Sequence, residues 1–482
     1  MNPVFSGPEL CALTACEAVE LLRKRDVTPA ELLAASKTRH RQVDAAVNAM
    51  PTQCFERAGR RAEGIKPQDG EPGWLAGLPI GIKDLTPVKG VRTTWGTKAL
   101  ADFVPAQSAP LVSRLEARDG LVVGKTNTPE MGAGGNTFNA VFGMTRNPWD
   151  TRKNAGGSSG GAAVSLATGQ VWLSHGSDLA GSLRTPAAYC GVVGMRPTPG
   201  RAGGGPAAIA FEGEGISGPM ARNVRDCALF LDAMAGFDAR EPMTLEPPRV
   251  SFQAAARSDP GPIRIAFAPD LNGFSALEPE IGQVMSDALK RAQGPDIKVE
   301  DACPQLDGLA KTYTDLRGAF YCAVNDRLSD EVKAHFKPTL KQNIAQGRKV
   351  TAQDIYDAQR QRTVIYHAMR VFLDDFDVLA CAVVGIEPGP VEVEYPPIVN
   401  GVPSGDDYIS WLKFSFLATT TQLPALSIPC GFTKSGMPVG IQLIGPPHGD
   451  ARLLQVARVL EDSWGLADNV PIDPVVRHEQ AS

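Results

Sequence analysis

The first fifty residues carry apolar side chains at helical spacing between polar ones. Thr14 is followed three residues later by Glu17, and the same arrangement recurs at Thr28 and Glu31. A threonine with a glutamate three positions on is the capping box that begins a helix, and Pro29 suits the first position of the second helix. The chain is therefore predicted to begin with two helices, the first ending near residue 25, and neither carries recognisable chemistry.

From residue 78 onward the pattern changes to short apolar runs of the length of buried strands. These predicted strands are residues 78–82, 121–124, 171–173, 191–194, 263–267, 378–383, 425–429 and 439–444. Segments with helical periodicity lie between or after them at residues 111–117, 160–168, 223–235 and 453–460. Strands that alternate with helices indicate βαβ units, so the pattern predicts an α/β fold with a largely parallel or mixed sheet whose faces are covered.

The segment from about 276 to 375 is predicted to be mainly helical. Thr351 and Asp354 mark the start of a long helix in it. Four residues are expected on one apolar face of that helix: Val364, Ile365, Ala368 and Phe372.

Composition narrows the functional classes. Of 482 residues, 43% are hydrophobic and 21% are charged, which is typical of globular proteins. The formal net charge of −5 gives no basic surface for nucleic acid, and no apolar stretch approaches the ~18 residues of a membrane span. The N-terminus lacks the basic segment and apolar core of a signal peptide. Nine scattered cysteines without metal-ligand spacing indicate reduced thiols, so we expect a cytoplasmic protein without metal or cofactor.

Two serines in glycine-rich turns, Ser158 and Ser182, lie 24 residues apart and are the candidate reactive groups. Glycines let the backbone approach a substrate closely, and successive N–H groups in such turns can bind an anion. A serine hydroxyl there can attack a carbonyl while the N–H groups hold the developing oxyanion. A phosphate-binding loop is the alternative, but residues 156–161 lack its lysine pattern, and neither a dinucleotide fingerprint nor a Gly-x-Ser-x-Gly elbow is present.

Residues 156–161 and 176–186, with Lys83 and Asp84 after an apolar run, resemble the motifs of the amidase signature family of amide hydrolases. Further similar segments are residues 125–130, 146–149, 218–222 and 436–443. The resemblance covers most of the chain and is weakest over about 240–375. It implies a single large domain, residues 1–482, in which one twisted, mostly parallel or mixed sheet is covered by helices on both faces.

Within that domain the resemblance implies three regions. The motif core is expected at about 70–236, and a variable, mainly helical region that covers the cleft at about 240–375. Strands and a helix at about 376–470 are expected to rejoin the core.

Carried over by position, the resemblance implies that Ser182 is the nucleophile and that Ser158 relays a proton between Ser182 and Lys83. It also implies a cis peptide bond between Gly157 and Ser158. An amide's leaving amine must be protonated, so the site needs a base that becomes an acid. His175 adjoins the motif, but we interpret it as a structural residue. Lys83 follows an apolar run, and burial can lower a lysine pKa far enough for it to act as a base.

The oxyanion hole that the resemblance implies consists of the backbone N–H groups of Leu179, Ala180, Gly181 and Ser182. The residues expected to support the site are Asp178, Arg184, Gly157 and Ser159. Asp178 and Arg184 are predicted to form an ion pair that braces the turn. The chain departs from the family's pattern at Ala180, which requires a negative φ, and at 421–424, where no glycine precedes the Leu-Pro pair and an altered acyl pocket is expected.

The sequence thus predicts a hydrolase that cleaves small, aryl or alkyl amides through an acyl-enzyme. Carbamates and esters offer a similar carbonyl to the same chemistry. The alternative is the A-type subunit of a glutamyl-tRNA amidotransferase complex, which needs partner chains, and a catalytically inactive scaffold is disfavoured because all three triad residues are present. We expect a small-molecule amide or carbamate as the partner, no nucleic-acid or membrane partner, and a monomer or homodimer.

Four residues are candidates for the substrate pocket, although packing explains them equally well: Trp95, Met131, Asn136 and Arg201. The glycine-rich loop at 200–206 follows the second serine motif. Such a loop is either a gate for the substrate or an ordinary surface loop.

Overall fold

The fold is built on one large sheet. A computed structural model describes residues 3–66, 71–204, 209–405 and 408–477. The strands of the described residues are β1 Thr52–Gln53, β2 Pro79–Lys83, β3 Leu121–Thr126, β4 Phe138–Asn139, β5 Gly143–Met144, β6 Leu173–Asp178, β7 Val193–Arg196, β8 Ile216–Ala221, β9 Ile263–Phe267, β10 Ile297–Asp301, β11 Val378–Ala382, β12 Ile398–Val399, β13 Val402–Pro403, β14 Ala425–Phe432 and β15 Pro438–Ile444. Eleven of these described strands pair in the order β1-β3-β2-β6-β8-β7-β14-β15-β11-β9-β10.

Helices flank this sheet. They are α1 Glu9–Ala12, α2 Ala15–Lys24, α3 Pro29–Val47, α4 Phe55–Ala62, α5 Pro110–Ala117, α6 Gly160–Ala167, α7 Arg184–Cys190, α8 Val224–Met234, α9 Phe252–Arg257, α10 Pro279–Ala292, α11 Leu309–Asn325, α12 Asp330–Ala334, α13 Pro338–Gly347, α14 Ala352–Phe372, α15 Phe416–Thr421 and α16 Asp450–Trp464. The capping boxes predicted at Thr14 and Thr28 are present, with Pro29 in the first turn of α3.

Both faces of the sheet are buried. In β3 the side chains of Leu121 and Val123 belong to one hydrophobic cluster, whereas Val122 belongs to another. Successive side chains of a strand point to opposite faces of a sheet. The two clusters are therefore the two layers that cover the sheet, which confirms the predicted architecture.

The sheet is mixed, as predicted, and parallel pairs do not predominate in it. Among the described strands, β2 runs parallel to β3 and β6, and β9 runs parallel to β10 and β11. The other six neighbouring pairs run antiparallel. β14 and β15 are joined by a short turn rather than by a helix, and only antiparallel strands can be joined in that way.

Three details differ from the predicted elements. The strand expected at 171–173 begins only at Leu173, and β6 continues to Asp178 through polar motif residues because it pairs with β2 and β8 on either side. The segment expected to be helical also contains β10, paired with β9. In α14, Ile365 is buried, but Val364 is 60% exposed. Met369, four residues after Ile365 and thus on the same face, is buried with it.

Two general properties bear on the classes of function. Among the described helices, none combines the length and hydrophobicity that a membrane crossing requires. All nine cysteines lie in the described part of the chain, and each is a free thiol.

The parallel strands position the site. β2 lies between β3 and β6 and runs parallel to both. Because the carboxyl ends of parallel strands meet at one edge of a sheet, ligand and catalytic groups are commonly found there. Here those ends carry Lys83, Thr126 and Asp178.

Candidate active site

Lys83 is the last residue of β2 and lies wholly inside the protein, with 0% exposure. The Nζ of Lys83 donates hydrogen bonds to the Oγ of Ser158 at 2.7 Å, of Ser159 at 2.8 Å and of Ser177 at 3.0 Å. Burial lowers the pKa of Lys83 to about 7, an effect that the more distant Asp178 carboxylate partly opposes. Near neutral pH this amine therefore exists in both protonation states and can exchange a proton with the serine it contacts.

Ser158 lies in the turn that leads into α6. The peptide bond between Gly157 and Ser158 is cis, as the resemblance implies. Gly157 packs so tightly that a Cβ atom there would lie 2.7 Å from the carbonyl oxygen of Gly134. A side chain at this position would displace the turn and with it the Ser158 hydroxyl. This close packing is a steric reason for the supporting role predicted for Gly157.

Ser159 supports Lys83 from the same turn. Besides accepting the bond from Lys83, its hydroxyl accepts a bond from the N–H of Ser177 at 3.3 Å. The turn before α6 is thereby connected to β6, the strand that leads to the second serine motif.

Ser182 lies in the turn between β6 and α7. This turn depends on Gly181, whose φ of +84° lies in the left-handed region that favours glycine. Ser182 and Ser158 are only 8% and 3% exposed, and both line one cavity of about 430 Å³. The structure thus brings the two predicted serines to a common cavity, with Lys83 bonded to Ser158 behind its wall.

The four N–H groups predicted for the oxyanion hole are not equivalent. That of Gly181 donates to the Asp178 carboxylate at 3.1 Å. Within the described residues, those of Leu179, Ala180 and Ser182 have no protein acceptor. Ala180 has no positive φ, so the departure from the family's usual glycine is accommodated without strain. Three N–H groups, rather than four, are available for a developing oxyanion in this structure.

Asp178 braces the turn in the way that the sequence predicts. Arg184 forms a bidentate ion pair with Asp178, with distances of 2.8 and 3.1 Å. The carboxylate also accepts a bond from the N–H of Leu183 at 3.0 Å. Although burial opposes ionisation, Arg184 and Arg196 hold the pKa of the Asp178 carboxyl well below its usual range. A charged aspartate therefore fixes the backbone on both sides of Ser182.

Asp84 follows Lys83 directly but points the other way, as alternate residues of an extended segment do. It pairs with the buried Lys125 of β3 at 3.0 Å and accepts bonds from the backbone and hydroxyl of Thr94. Lys125 is thus held in an ion pair, whereas the hydrogen bonds of Lys83 to described residues go to hydroxyl and carbonyl oxygens. The difference in partners separates a structural lysine from a candidate base.

Of the four predicted pocket residues, Met131 lines the cavity beside Ser182, and the other three lie elsewhere. The ring of Trp95 packs against Phe103, with centroids 5.7 Å apart. The buried Asn136 side chain donates to the carbonyls of Val391 and Val393, each at 3.0 Å.

Arg201 also has a structural environment. It donates to the carbonyl of Glu246 at 3.0 Å and lies over the Phe252 ring. In the same loop Gly200, Ala202 and Gly204 do line the cavity. Residues 205 and 206 of the proposed gate lie outside the described part of the chain.

The remaining cavity wall comes from residues that the sequence did not single out. They are Leu85, Gly132, Ser177, Ala210, Glu212, Gly215, Ile216, Ser217, Arg240, Glu241, Met243, Thr244, Phe320 and Tyr321. Phe320 and Tyr321 belong to α11, so the weakly similar region at 240–375 supplies part of the wall. Gln422, at the position where the family often has glycine, has a φ of +57° and lines a neighbouring cavity rather than this one.

Three further residues shape the site without having been predicted. Ser177 accepts a hydrogen bond from Lys83, and its position inside the second serine motif is the feature of the sequence that could have indicated it. Arg196 ends β7 and donates to the carbonyl of Asp178 at 2.9 Å; a lone arginine that ends an apolar strand is the signal that could have found it. Tyr313 of α11 bonds to the carbonyl of Leu179 at 3.2 Å, and no local pattern points to it.

His175 is fully buried, with its Nε2 3.2 Å from the Ser217 hydroxyl. Burial and the positive charges of Lys83 and Lys125 lower the pKa of His175 to about 3, so it is neutral at physiological pH. Among the hydrogen bonds of the described residues, none joins His175 to Ser158 or Ser182. The described residues contain no group of three histidine, cysteine, aspartate or glutamate side chains arranged to hold a metal. The bond from Lys83 to Ser158, with both serines on one cavity, can support nucleophilic acyl transfer with lysine as the base.

Comparison with known proteins places the chain in a known class, the amide hydrolases. The sequence model of the family described as Amidase matches residues 31–454. The chain is 33% identical over 469 residues to an acylamidase from Rhodococcus erythropolis, covering 96% of this chain and 98% of that one. It is 34% identical over 485 residues to the A-type subunit of the glutamyl-tRNA(Gln) amidotransferase from Moorella thermoacetica, covering 94% and 97% of the two chains.

The fold agrees with these sequence matches. The crystal structure of a bacterial aryl acylamidase of the amidase signature enzymes superimposes with a TM-score of 0.87 at 27% identity, covering 95% of this chain and 98% of that one. The chain belongs to the Amidase family. It is an enzyme that hydrolyses carbon–nitrogen amide bonds.

Proposed function

We propose that the chain hydrolyses small aryl or alkyl amides through an acyl-enzyme, with Ser182 as nucleophile, Ser158 as proton relay and Lys83 as base. The observation that carries the proposal is the 2.7 Å bond between Lys83 Nζ and Ser158 Oγ in a fully buried environment. A neutral amine there accepts the proton of Ser158, which in turn takes the proton of Ser182.

The reaction then follows in two balanced steps. Ser182 Oγ bonds to the amide carbonyl carbon, and the developing oxyanion accepts hydrogen bonds from N–H groups of the 179–182 turn. The C–N bond breaks as Lys83 and Ser158 return the proton to the leaving amine, which leaves an ester on Ser182. Water then attacks that ester, its proton passes to the same relay, and the carboxylic acid leaves as Ser182 recovers its proton.

The volume of the cavity supports a small acyl group. Its volume of about 430 Å³ lies in the range of roughly 300–1,000 Å³ for small-molecule sites. Apolar side chains such as Leu85, Met131 and Phe320 contribute to its wall. The acylamidase names of two similar proteins favour the same substrate class. Carbamates and esters of similar size fit the same chemistry.

The test combines labelling with turnover. A fluorophosphonate is expected to label the purified protein at Ser182, and a panel of anilides, alkyl amides, carbamates and esters is expected to reveal turnover. Ser182→Ala should remove both without changing the melting temperature by more than a few degrees. Labelling at another serine, or near wild-type turnover by the variant, would refute the assignment of the nucleophile.

A second candidate, the A-type subunit of an amidotransferase, is favoured by the match to the Moorella thermoacetica protein. That function requires partner chains, whereas the proposed amidase works alone. Turnover of a simple anilide by the isolated chain supports the free-standing enzyme. Activity that appears only when partner chains and charged tRNA are added would overturn it.

A further inference from the structure

Tyr313 connects a helix outside the motifs to the turn that holds Ser182. Its hydroxyl donates a hydrogen bond to the carbonyl oxygen of Leu179 at 3.2 Å, across 134 residues of sequence. Leu179 is the first residue of the turn after β6, and its side chain lines the substrate cavity. Tyr313 itself is 1% exposed and does not line that cavity, so any effect on the reaction passes through Leu179.

The bonded carbonyl shares a rigid unit with a candidate oxyanion donor. The C=O of Leu179 and the N–H of Ala180 belong to one planar peptide group, in which a trans bond directs them oppositely. Fixing the carbonyl therefore fixes the direction of the N–H. Among the described residues the Ala180 N–H has no protein acceptor, which leaves it available to a bound oxyanion.

The other anchors of this turn act on different peptide groups. Arg196 holds the carbonyl of Asp178, and the Asp178 carboxylate holds the N–H groups of Gly181 and Leu183. The 179–180 peptide depends on Tyr313 instead. Without that bond, this unit could rotate while the rest of the turn stayed in place.

The Tyr313 ring is itself held rigidly. It stacks on Phe416, with ring centroids 3.7 Å apart and an angle of 16° between the planes. Burial raises the pKa of the Tyr313 phenol well above its ordinary value, so the hydroxyl stays protonated and remains a donor throughout the working pH range.

The same helix also reaches the cavity proposed for the substrate. Phe320 and Tyr321 of α11 line the cavity and lie seven and eight residues after Tyr313. This spacing is two helical turns, or about 10.5 Å along the axis, and returns to the same side of the helix. Helix α11 thus contributes to the wall of the cavity and also contacts the turn proposed to polarise the substrate carbonyl.

We propose that Tyr313 is a positioning residue for the reaction: its hydroxyl orients the 179–180 peptide so that the Ala180 N–H stabilises the oxyanion. This inference rests on the proposed function. It predicts an effect on the transition state rather than on substrate binding, because the oxyanion exists only after Ser182 has attacked.

The test is Tyr313→Phe, which removes the hydroxyl and keeps the ring on Phe416. With an anilide that the wild type hydrolyses, kcat is expected to fall about tenfold while KM stays within about twofold, since one neutral hydrogen bond contributes about 2- to 12-fold. A trifluoromethyl ketone that forms a tetrahedral adduct on Ser182 should lose affinity by the same factor, because its oxygen occupies the oxyanion position.

Tyr189→Phe is the matched control. The Tyr189 hydroxyl also donates to a backbone carbonyl, that of Ile386 at 3.0 Å, but it does not contact the turn. This control should keep kcat within about twofold. An equal kcat for the two variants, or a Tyr313→Phe loss confined to KM or to thermal stability, would overturn the proposal.

Two further measurements separate the remaining outcomes. If Tyr313→Phe does not fold, Phe416→Leu frees the ring and should lower kcat in the same way, and an unchanged kcat would contradict the inference. If wild type has no turnover and Ser182→Ala changes nothing, the proposed function has failed. If Ser182→Ala abolishes turnover but Tyr313→Phe has no effect, only the positioning role has failed.

Discussion

Replacement of Lys83 by methionine is the sharpest test of the proposed chemistry. The change keeps an unbranched buried side chain, one atom shorter, but removes the base that contacts Ser158 at 2.7 Å. With a pKa of about 7, the amine is neutral in roughly 1% of molecules at pH 5 and in nearly all at pH 9. We therefore expect wild-type kcat/KM to rise about 100-fold over this range, with a midpoint near pH 7.

Two matched substrates distinguish the roles of Lys83. The aniline of an anilide leaves only if its nitrogen is protonated. The nitrophenolate of the corresponding ester leaves without a proton. Lys83→Met should lower kcat/KM for the anilide by about 10²- to 10⁴-fold. The loss of kcat/KM for the ester should be smaller than the loss for the anilide by a factor of about ten or more. The rate at which a fluorophosphonate labels Ser182 of the wild type, measured against pH, should have the same midpoint near pH 7. This measurement does not depend on the protonation of a leaving amine.

A stability measurement checks the pKa without any substrate. The pKa of Lys83 is lowered from 10.5 in the unfolded chain to about 7 in the folded one, so between these values the unfolded chain binds more protons. Stability must then rise with pH across that window, by an amount on the order of 5 kcal/mol. The free energy of unfolding of Lys83→Met, measured by denaturant titration from pH 7 to 10, should lack this contribution.

Three outcomes would contradict this account of Lys83. The first is a kcat/KM that is flat from pH 5.5 to 9. The second is an equal loss on anilide and ester, which would confine Lys83 to activating the nucleophile or to structure. The third is a wild-type stability that does not rise relative to the variant above pH 7.

Three other changes have expected outcomes. Ser158→Ala should lower kcat/KM by about 10²- to 10⁴-fold because the proton relay is lost, and a value within about twofold of wild type would exclude the relay. Lys125→Met leaves the buried Asp84 without its partner and should lower the free energy of unfolding by about 3–5 kcal/mol, which urea denaturation measures. EDTA should leave turnover unchanged because Lys83 is expected to supply the base, and complete loss that zinc restores would contradict this.

Local motifs were sufficient to select the candidate reactive residues, which the structure brings to one cavity or its wall. Ser158 and Ser182 lie in glycine-rich turns. Because glycines in such numbers indicate tight backbone geometry, these two turns could be recognised from the sequence. The apolar run before Lys83 also predicted its burial correctly, because five successive buried positions form a central strand. The ion pair between Asp178 and Arg184 was also predictable, since the two residues flank one short turn.

Residues in loops were less predictable. Trp95, Asn136 and Arg201 lie near motifs along the chain, yet their side chains contact Phe103, the 391–393 backbone and Phe252 instead of the substrate cavity. Sequence proximity does not determine the direction of a side chain where no helical or strand periodicity constrains it.

The sequence by itself determined the class of chemistry, the three candidate side chains and the βα character of the core, because each depends on residues close together along the chain. Tertiary structure alone decided the order and direction of the eleven strands, how completely Lys83 is desolvated and the contact of Tyr313 with Leu179. These properties depend on desolvation and on pairing between distant segments, for which no local pattern exists.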